Sequence, residues 1–253
     1  NYHNDDDGNN EDEDLDIINY ILSRKQMYGL MLLGKLCINN KALFQAEKLG
    51  AVDWLLSILK GILDVDIPDF VVQKKDIIFF AETYLSRLIL LRKEEENRAA
   101  EEEKQEISKT VDILIPIVKK GSKNDEIVSI CFAYIALAAQ YVPEKIKELR
   151  IVVLASLLLS MHMNCRPATQ NIVTFLYETA DHAHLIDEVK ACKAALPTAL
   201  KAVHDHPRTQ ALVERAAALA FLCDHESKNS IIAAALEQFP KDEFRYDKQI
   251  YKR

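Results

Sequence analysis

The sequence predicts an all-α fold built as a solenoid of helical repeats, and three observations carry that prediction. Only six glycines occur in 253 residues, well under the average share of about 7%, which leaves little material for hairpin turns or glycine-rich phosphate loops. Apolar residues recur at spacings of three and four, as in Leu30, Leu33, Leu36 and Cys37, in Val52, Leu55, Leu56 and Leu59, and in Leu212, Ala216, Leu219 and Leu222. Related strings return with a period near 40 residues, from Leu114 to Leu154 and from Leu154 to Ala195.

Taken in order, residues 1–16 hold eight of the 39 acidic residues and none of the 32 basic ones, so they form an acidic leader predicted to be disordered. The repeat domain is expected over 17–240. Met27 to Asn40 is helical in its spacing and stops at Asn39-Asn40. A tight turn at Gly50 leads into a second helix beginning Val52-Asp53-Trp54-Leu55-Leu56, and Gly61 and Pro68 follow it. That string returns as Val111-Asp112-Ile113-Leu114-Ile115, then as Ile151-Val152-Val153-Leu154-Ala155, and Ala194-Ala195-Leu196-Pro197 echoes Ile113-Leu114-Ile115-Pro116. Gly121, Pro143, Pro167, Pro207 and Pro240 mark the intervening breaks. A parallel series ends at Thr179-Ala180-Asp181-His182 and at Leu222-Cys223-Asp224-His225, 43 residues apart. A helical unit of this length cannot cover its own apolar face, so neighbouring units bury it by stacking.

The interval from Leu55 to Leu114 is 59 residues, longer than the repeat. The excess falls in a Glu-rich, helix-favouring run, and a solvent-exposed helical extension is expected over about 91–107. Residues 241–253 are expected to form a tail.

Charge and cysteine content narrow the function class. The net charge is −7, but the leader accounts for it, and the body carries one positive charge in excess. No basic half exists of the kind that binds nucleic acid. Five cysteines, an odd number set in apolar contexts, read as reduced and buried thiols. The apolar run Ile151 to Met163 falls short of the ~18 residues of a membrane span. It reads as a core helix.

Motifs for chemistry fail on their own requirements. Gly29-Leu30-Met31-Leu32-Leu33-Gly34-Lys35-Leu36 has phosphate-loop spacing, but Leu36 stands where magnesium needs Ser or Thr, and the stretch is helical in pattern. The two glycines are expected to permit close helix packing. His182 and His184, His204 and His206, His162 and His225 lack the spacings that converge on zinc. No Gly-x-Ser-x-Gly elbow is present. The sequence therefore predicts a protein that is not an enzyme and takes no metal or other cofactor.

The string Glu47-Lys48-Leu49-Gly50-Ala51-Val52-Asp53-Trp54-Leu55-Leu56-Ser57-Ile58-Leu59-Lys60 resembles the second helix of an armadillo repeat, entered through its Gly-Ala turn, and Met27 to Asn40 resembles the third helix of the preceding unit. The resemblance to the armadillo-repeat family extends over about 20–240. It implies a right-handed superhelix of about five to six units and a groove lined by third helices. Aligning those helices puts Met31, Thr83, Phe132, Asn171 and Ala217 where import receptors carry Trp, and Lys35, Arg87, Ala136, Phe175 and Phe221 where they carry Asn. That ladder is missing, and Lys35 and Arg87 repel basic peptides. The alignment predicts a protein-binding groove of Lys35, Arg87, Phe132, Asn171, Phe175 and Phe221, basic at one end and aromatic at the other. Such a groove suits peptides with acidic and apolar anchors.

A chain composed almost wholly of such units behind an Asn- and Asp-rich leader, Asn4-Asp5-Asp6-Asp7-Gly8-Asn9-Asn10, is similar to the armadillo-repeats-only proteins of apicomplexan parasites. That resemblance implies a scaffold on the cytosolic face of the rhoptry, held by N-terminal myristoyl and palmitoyl groups on residues preceding Asn1. Its implied partners are an unconventional myosin, an adenylate cyclase and a small interacting protein, and its implied role is to position the organelle for host-cell invasion. A soluble armadillo adaptor in nuclear transport or enzyme regulation is the alternative.

Overall fold

The computed structural model describes residues 24–35, 38–64, 71–95 and 101–191, and single positions 205, 212, 213, 215, 216 and 219. The leader 1–16, the tail 241–253 and Phe221 lie outside them. Every described element is a helix, as the sequence predicts: α1 (24–35), α2 (Asn40–Lys48), α3 (Ala51–Asp64), α4 (Val71–Glu95), α5 (Glu101–Lys120), α6 (Asp125–Ala138), α7 (Pro143–Glu148), α8 (Ile151–Met161), α9 (Arg166–Ala180) and α10 (Ile186–Ala191).

Local chemistry sets the helix ends. Asn39 caps α2, its Oδ1 accepting from the backbone of Lys41 at 3.0 Å and Ala42 at 3.3 Å, and Asn124 caps α6 in the same way through Glu126 at 3.0 Å and Ile127 at 3.1 Å. Pro143 and Pro167 open α7 and α9, where a missing N–H leaves no bond unmade. Gly50, at φ 84°, carries the chain from α2 into α3. Lys120 donates to the carbonyl of Leu63 at 2.6 Å, placing a cation near the carbonyl end of α3.

Packing follows the apolar stripes. Helices α4, α6 and α9 lie side by side in that order, α3 lies against α5, and α5 and α8 back onto α6 and α9. Leu55, Leu59, Leu85, Leu114, Ile135, Leu159 and Ile172 belong to one continuous core. Tyr84 is buried in it and donates its hydroxyl to the carbonyl of Leu43 at 3.2 Å. Gly29 and Gly34 let α1 pack closely on α3 and α4: a Cβ at Gly29 would stand 2.8 Å from the Trp54 ring, and one at Gly34 3.0 Å from the Phe80 ring. The helical setting removes the phosphate-loop reading of this segment altogether.

Of the Glu-rich extension expected over 91–107, the described residues form the end of α4 and the start of α5. Glu101, Glu102, Lys104 and Gln105 are exposed there, while Arg92, Glu103 and Glu106 are tied to the body. Arg92 pairs with Glu47 of α2 and reaches Glu103 at 3.2 Å and Glu106 at 3.6 Å, while Ile107 is buried. One guanidinium thus holds three carboxylates from two other helices, and the Glu-rich first turn of α5 also faces the positive end of its own helix. No helix among the described residues is long and apolar enough to cross a membrane.

Candidate protein-binding face

Helices α4, α6 and α9 repeat a single pattern of burial. Tyr84, Tyr134 and Phe175 are buried aromatics at matching positions, 50 and then 41 residues apart, and Leu85, Ile135 and Leu176 follow them into the core. In the same register, Thr83, Ala133 and Thr174 are half-buried, as are Arg87, Leu137 and Glu178, and Leu90, Gln140 and Asp181 are exposed. Three side-chain rows therefore run across three adjacent helices on the side away from the core.

Each end of the Arg87 row is fixed by a neutral amide. Arg87 donates to Asn40 Oδ1 at 3.5 Å, and Gln140 donates through Nε2 to Glu178 Oε2 at 2.6 Å. The partner amide belongs to an earlier part of the chain in both cases, Asn40 at the start of α2 and Gln140 just after α6. Between them Leu137 and Ala133, with Ile130 on the same helix, form an apolar floor. Beyond Glu178, Arg215 donates to Thr174 Oγ1 at 3.0 Å.

The residues predicted for the groove divide against this geometry. Lys35 is exposed on α1, and Arg87 lies in the row just described. Phe132 and Phe175 are core residues and not groove lining: both are wholly buried and meet edge to face, centroids 5.5 Å apart at 75°. Asn171 is half-buried and spends both amide hydrogens on α6, donating to the Ser129 carbonyl at 2.8 Å and to its hydroxyl at 3.1 Å. It ties two helices together. The error was one of register. A spacing of 39 residues paired Phe132 with Asn171, whereas burial pairs Ala133 with Thr174 at a spacing of 41: the register is off by one residue on α6, about 100° of helix rotation, and by three on α9, about 300°. Leu137 and Glu178 were missed, and matching Tyr134 to Phe175 would have found them.

Electrostatics beneath the face come from burial. Glu82 of α4 is half-buried and accepts from Ser86 Oγ at 2.8 Å, and desolvation raises its pKa above the ordinary 4.5 despite that bond. The Cys131 thiol and the Tyr134 phenol are pushed far up by burial, with Glu82 adding to both. A thiol so held stays protonated and unreactive. Lys145 is raised by its hydrogen bond to Asp112 at 2.9 Å and by Glu148 at 3.1 Å.

Two further surface features stand out. On α8, Val153, Leu157 and Met161 form an exposed apolar ridge, whereas the matching positions are Asp53, Ser57 and Gly61 on α3 and Asp112, Pro116 and Lys120 on α5. Among the histidines, His162 is buried, with Nδ1 against the Asp125 carboxylate and Nε2 donating to the Ser122 carbonyl at 2.7 Å, which closes the turn before α6 onto the end of α8. No group of three or more His, Cys, Asp or Glu side chains among the described residues is placed to hold a metal. Comparison with models of known protein families, with characterised proteins and with solved structures gives no significant match.

Proposed function

We propose that this chain is an armadillo-like helical-repeat scaffold of about five to six units, which works by binding segments of other proteins and not by catalysis. The observation that carries the reading is the row of equivalent, uncovered side chains on α4, α6 and α9, a face that repeats with the helices and is not consumed by the core. Further support comes from the recurring order of helices: the short α2 and α7 each turn through a left-handed residue into α3 and α8, and the longer α4 and α9 follow. Arg87, with Lys35 at the same end, favours acidic anchors in the bound segment.

The resemblance to armadillo-repeats-only proteins extends the proposal to a cellular role. The full protein would be acylated at its N-terminus, sit on the cytosolic face of the rhoptry, and recruit an unconventional myosin, an adenylate cyclase and a small interacting protein. Two acyl chains are required for stable attachment, since one binds only marginally. The test is co-precipitation of those three partners with the wild-type protein and with the Lys35→Glu/Arg87→Glu variant. Loss of at least one partner from a folded variant supports the groove. Retention of all partners removes it from the binding mechanism.

A further inference from the structure

Resting on the scaffold reading, we infer that the face across α4, α6 and α9 selects a bipolar segment: an extended peptide with an acidic side chain at one end, apolar residues in the middle and a basic side chain at the other. Arg87, Leu137 and Glu178 hold the same position in three successive helices, so the face presents a cation, an apolar surface and an anion in line. Neither end charge is spent. Among the described residues the Arg87 guanidinium meets the neutral amide of Asn40, and the Glu178 carboxylate meets the neutral amide of Gln140. Such bonds orient a charge without neutralising it, which leaves each one available to an incoming ion of opposite sign. Elsewhere on the same helices charges are matched internally, as with Lys75 and Glu126, or Arg92 with its three glutamates. Among the described residues Arg215 lies one helical turn from Glu178, donating to Thr174 at 3.0 Å with no ion pair to the Glu178 carboxylate, so the variant that tests the acidic end is made at Glu178 itself.

Helix spacing sets the length. Packed helices lie about 8–10 Å apart, so α4 to α9 across α6 spans roughly 16–20 Å. An extended chain advances about 3.3 Å per residue, which separates the acidic and basic anchors by about six residues. Ile130, Ala133 and Leu137 receive the apolar side chains between them.

Three capped nonapeptides sharing a Leu-Val-Leu centre test the inference on the full chain by fluorescence anisotropy at low salt. One carries Glu second and Lys eighth, one Glu at both positions, one Lys at both. The bipolar peptide is expected to bind wild type about tenfold more tightly than either other. Arg87→Glu shifts the preference to the Lys/Lys peptide, and Glu178→Arg shifts it to the Glu/Glu peptide. A charge preference that these variants leave unmoved overturns the inference. If all three peptides bind equally and Leu137→Asp abolishes binding, the bipolar inference fails and the binding face survives. If none of the three binds, the bipolar inference fails, and the scaffold reading falls with it only if co-precipitated partners are also unaffected by Lys35→Glu/Arg87→Glu. Circular dichroism of each variant separates lost binding from lost fold.

Discussion

Gly50 and Arg150 hold the same left-handed backbone conformation one hundred residues apart, at φ 84° and φ 52°. Each follows a short helix, each donates its N–H to the carbonyl three residues back, Glu47 at 2.9 Å and Lys147 at 3.0 Å, and each accepts from the first turn of the next helix through Trp54 at 3.1 Å or Leu154 at 3.2 Å. The two turns are the same device with different residues. Glycine takes this conformation without strain, and a side chain with a Cβ does not.

Arg150→Gly is therefore expected to stabilise the protein by about 1 kcal/mol, and Gly50→Ala to destabilise it by about 1–2 kcal/mol. No neighbour stands within 4 Å of a Cβ at Gly50, so backbone conformation alone is at stake. Urea unfolding of both variants measures this. A destabilised Arg150→Gly would show that the arginine side chain contributes more than its backbone strain.

Glu82 supplies the pH dependence. Its folded pKa is raised by burial, so the native state binds more protons than the unfolded chain from about pH 4.5 upward. Stability contributed by this group is present at low pH and is lost as pH rises through the folded pKa. Glu82→Gln keeps an acceptor for Ser86 and removes the charge, and should raise the melting temperature at pH 7 while flattening its fall between pH 4.5 and 7. Melting curves that rise and fall as in wild type would contradict the assignment.

Asn171 joins α9 to α6 through two hydrogen bonds to Ser129. Asn171→Ala is expected to lower stability by about 1–2 kcal/mol. Asn171→Asp should be worse, because a carboxylate offers no hydrogen to the Ser129 carbonyl and places two acceptors face to face. Equal stability of the two variants would mean that the amide packs there without donating.

Gly29 tests the fit of α1 on α3. Its missing Cβ leaves room for the Trp54 ring, so Gly29→Ala is expected to destabilise despite the better helix propensity of alanine. Combining it with Trp54→Leu should recover much of the loss. Strict additivity of the two changes would place the clash elsewhere.

The ridge on α8 gives the opposite expectation. Leu157 is 61% exposed, and its counterparts on α3 and α5 are Ser57 and Pro116. Leu157→Lys should leave unfolding midpoints within about 0.5 kcal/mol of wild type. A loss of several kcal/mol would mean that this side chain is covered in solution.

Helical character, the breaks and the recurrence of strings such as Val52 to Leu56 and Val111 to Ile115 are legible in the residues alone. These are local quantities: periodicity, the break at Asn39-Asn40, and prolines such as Pro143 and Pro167 at the breaks. The packing role of Gly29 and Gly34 was legible too, since a helical pattern around them excludes a phosphate loop. Tertiary structure alone decided the register between helices. Phe132 and Phe175 look equally suited to groove or core, because an aromatic side chain carries no mark of which way its helix is turned. Their mutual edge-to-face contact turned them inward, and Leu137 and Glu178 outward. Arg92 teaches the same lesson for charge: Glu103 and Glu106 read as solvated carboxylates until the Arg92 guanidinium of α4 comes within reach of both and of Glu47 on α2. A side chain's role on a helix is an angle, and only the neighbouring helices fix its zero.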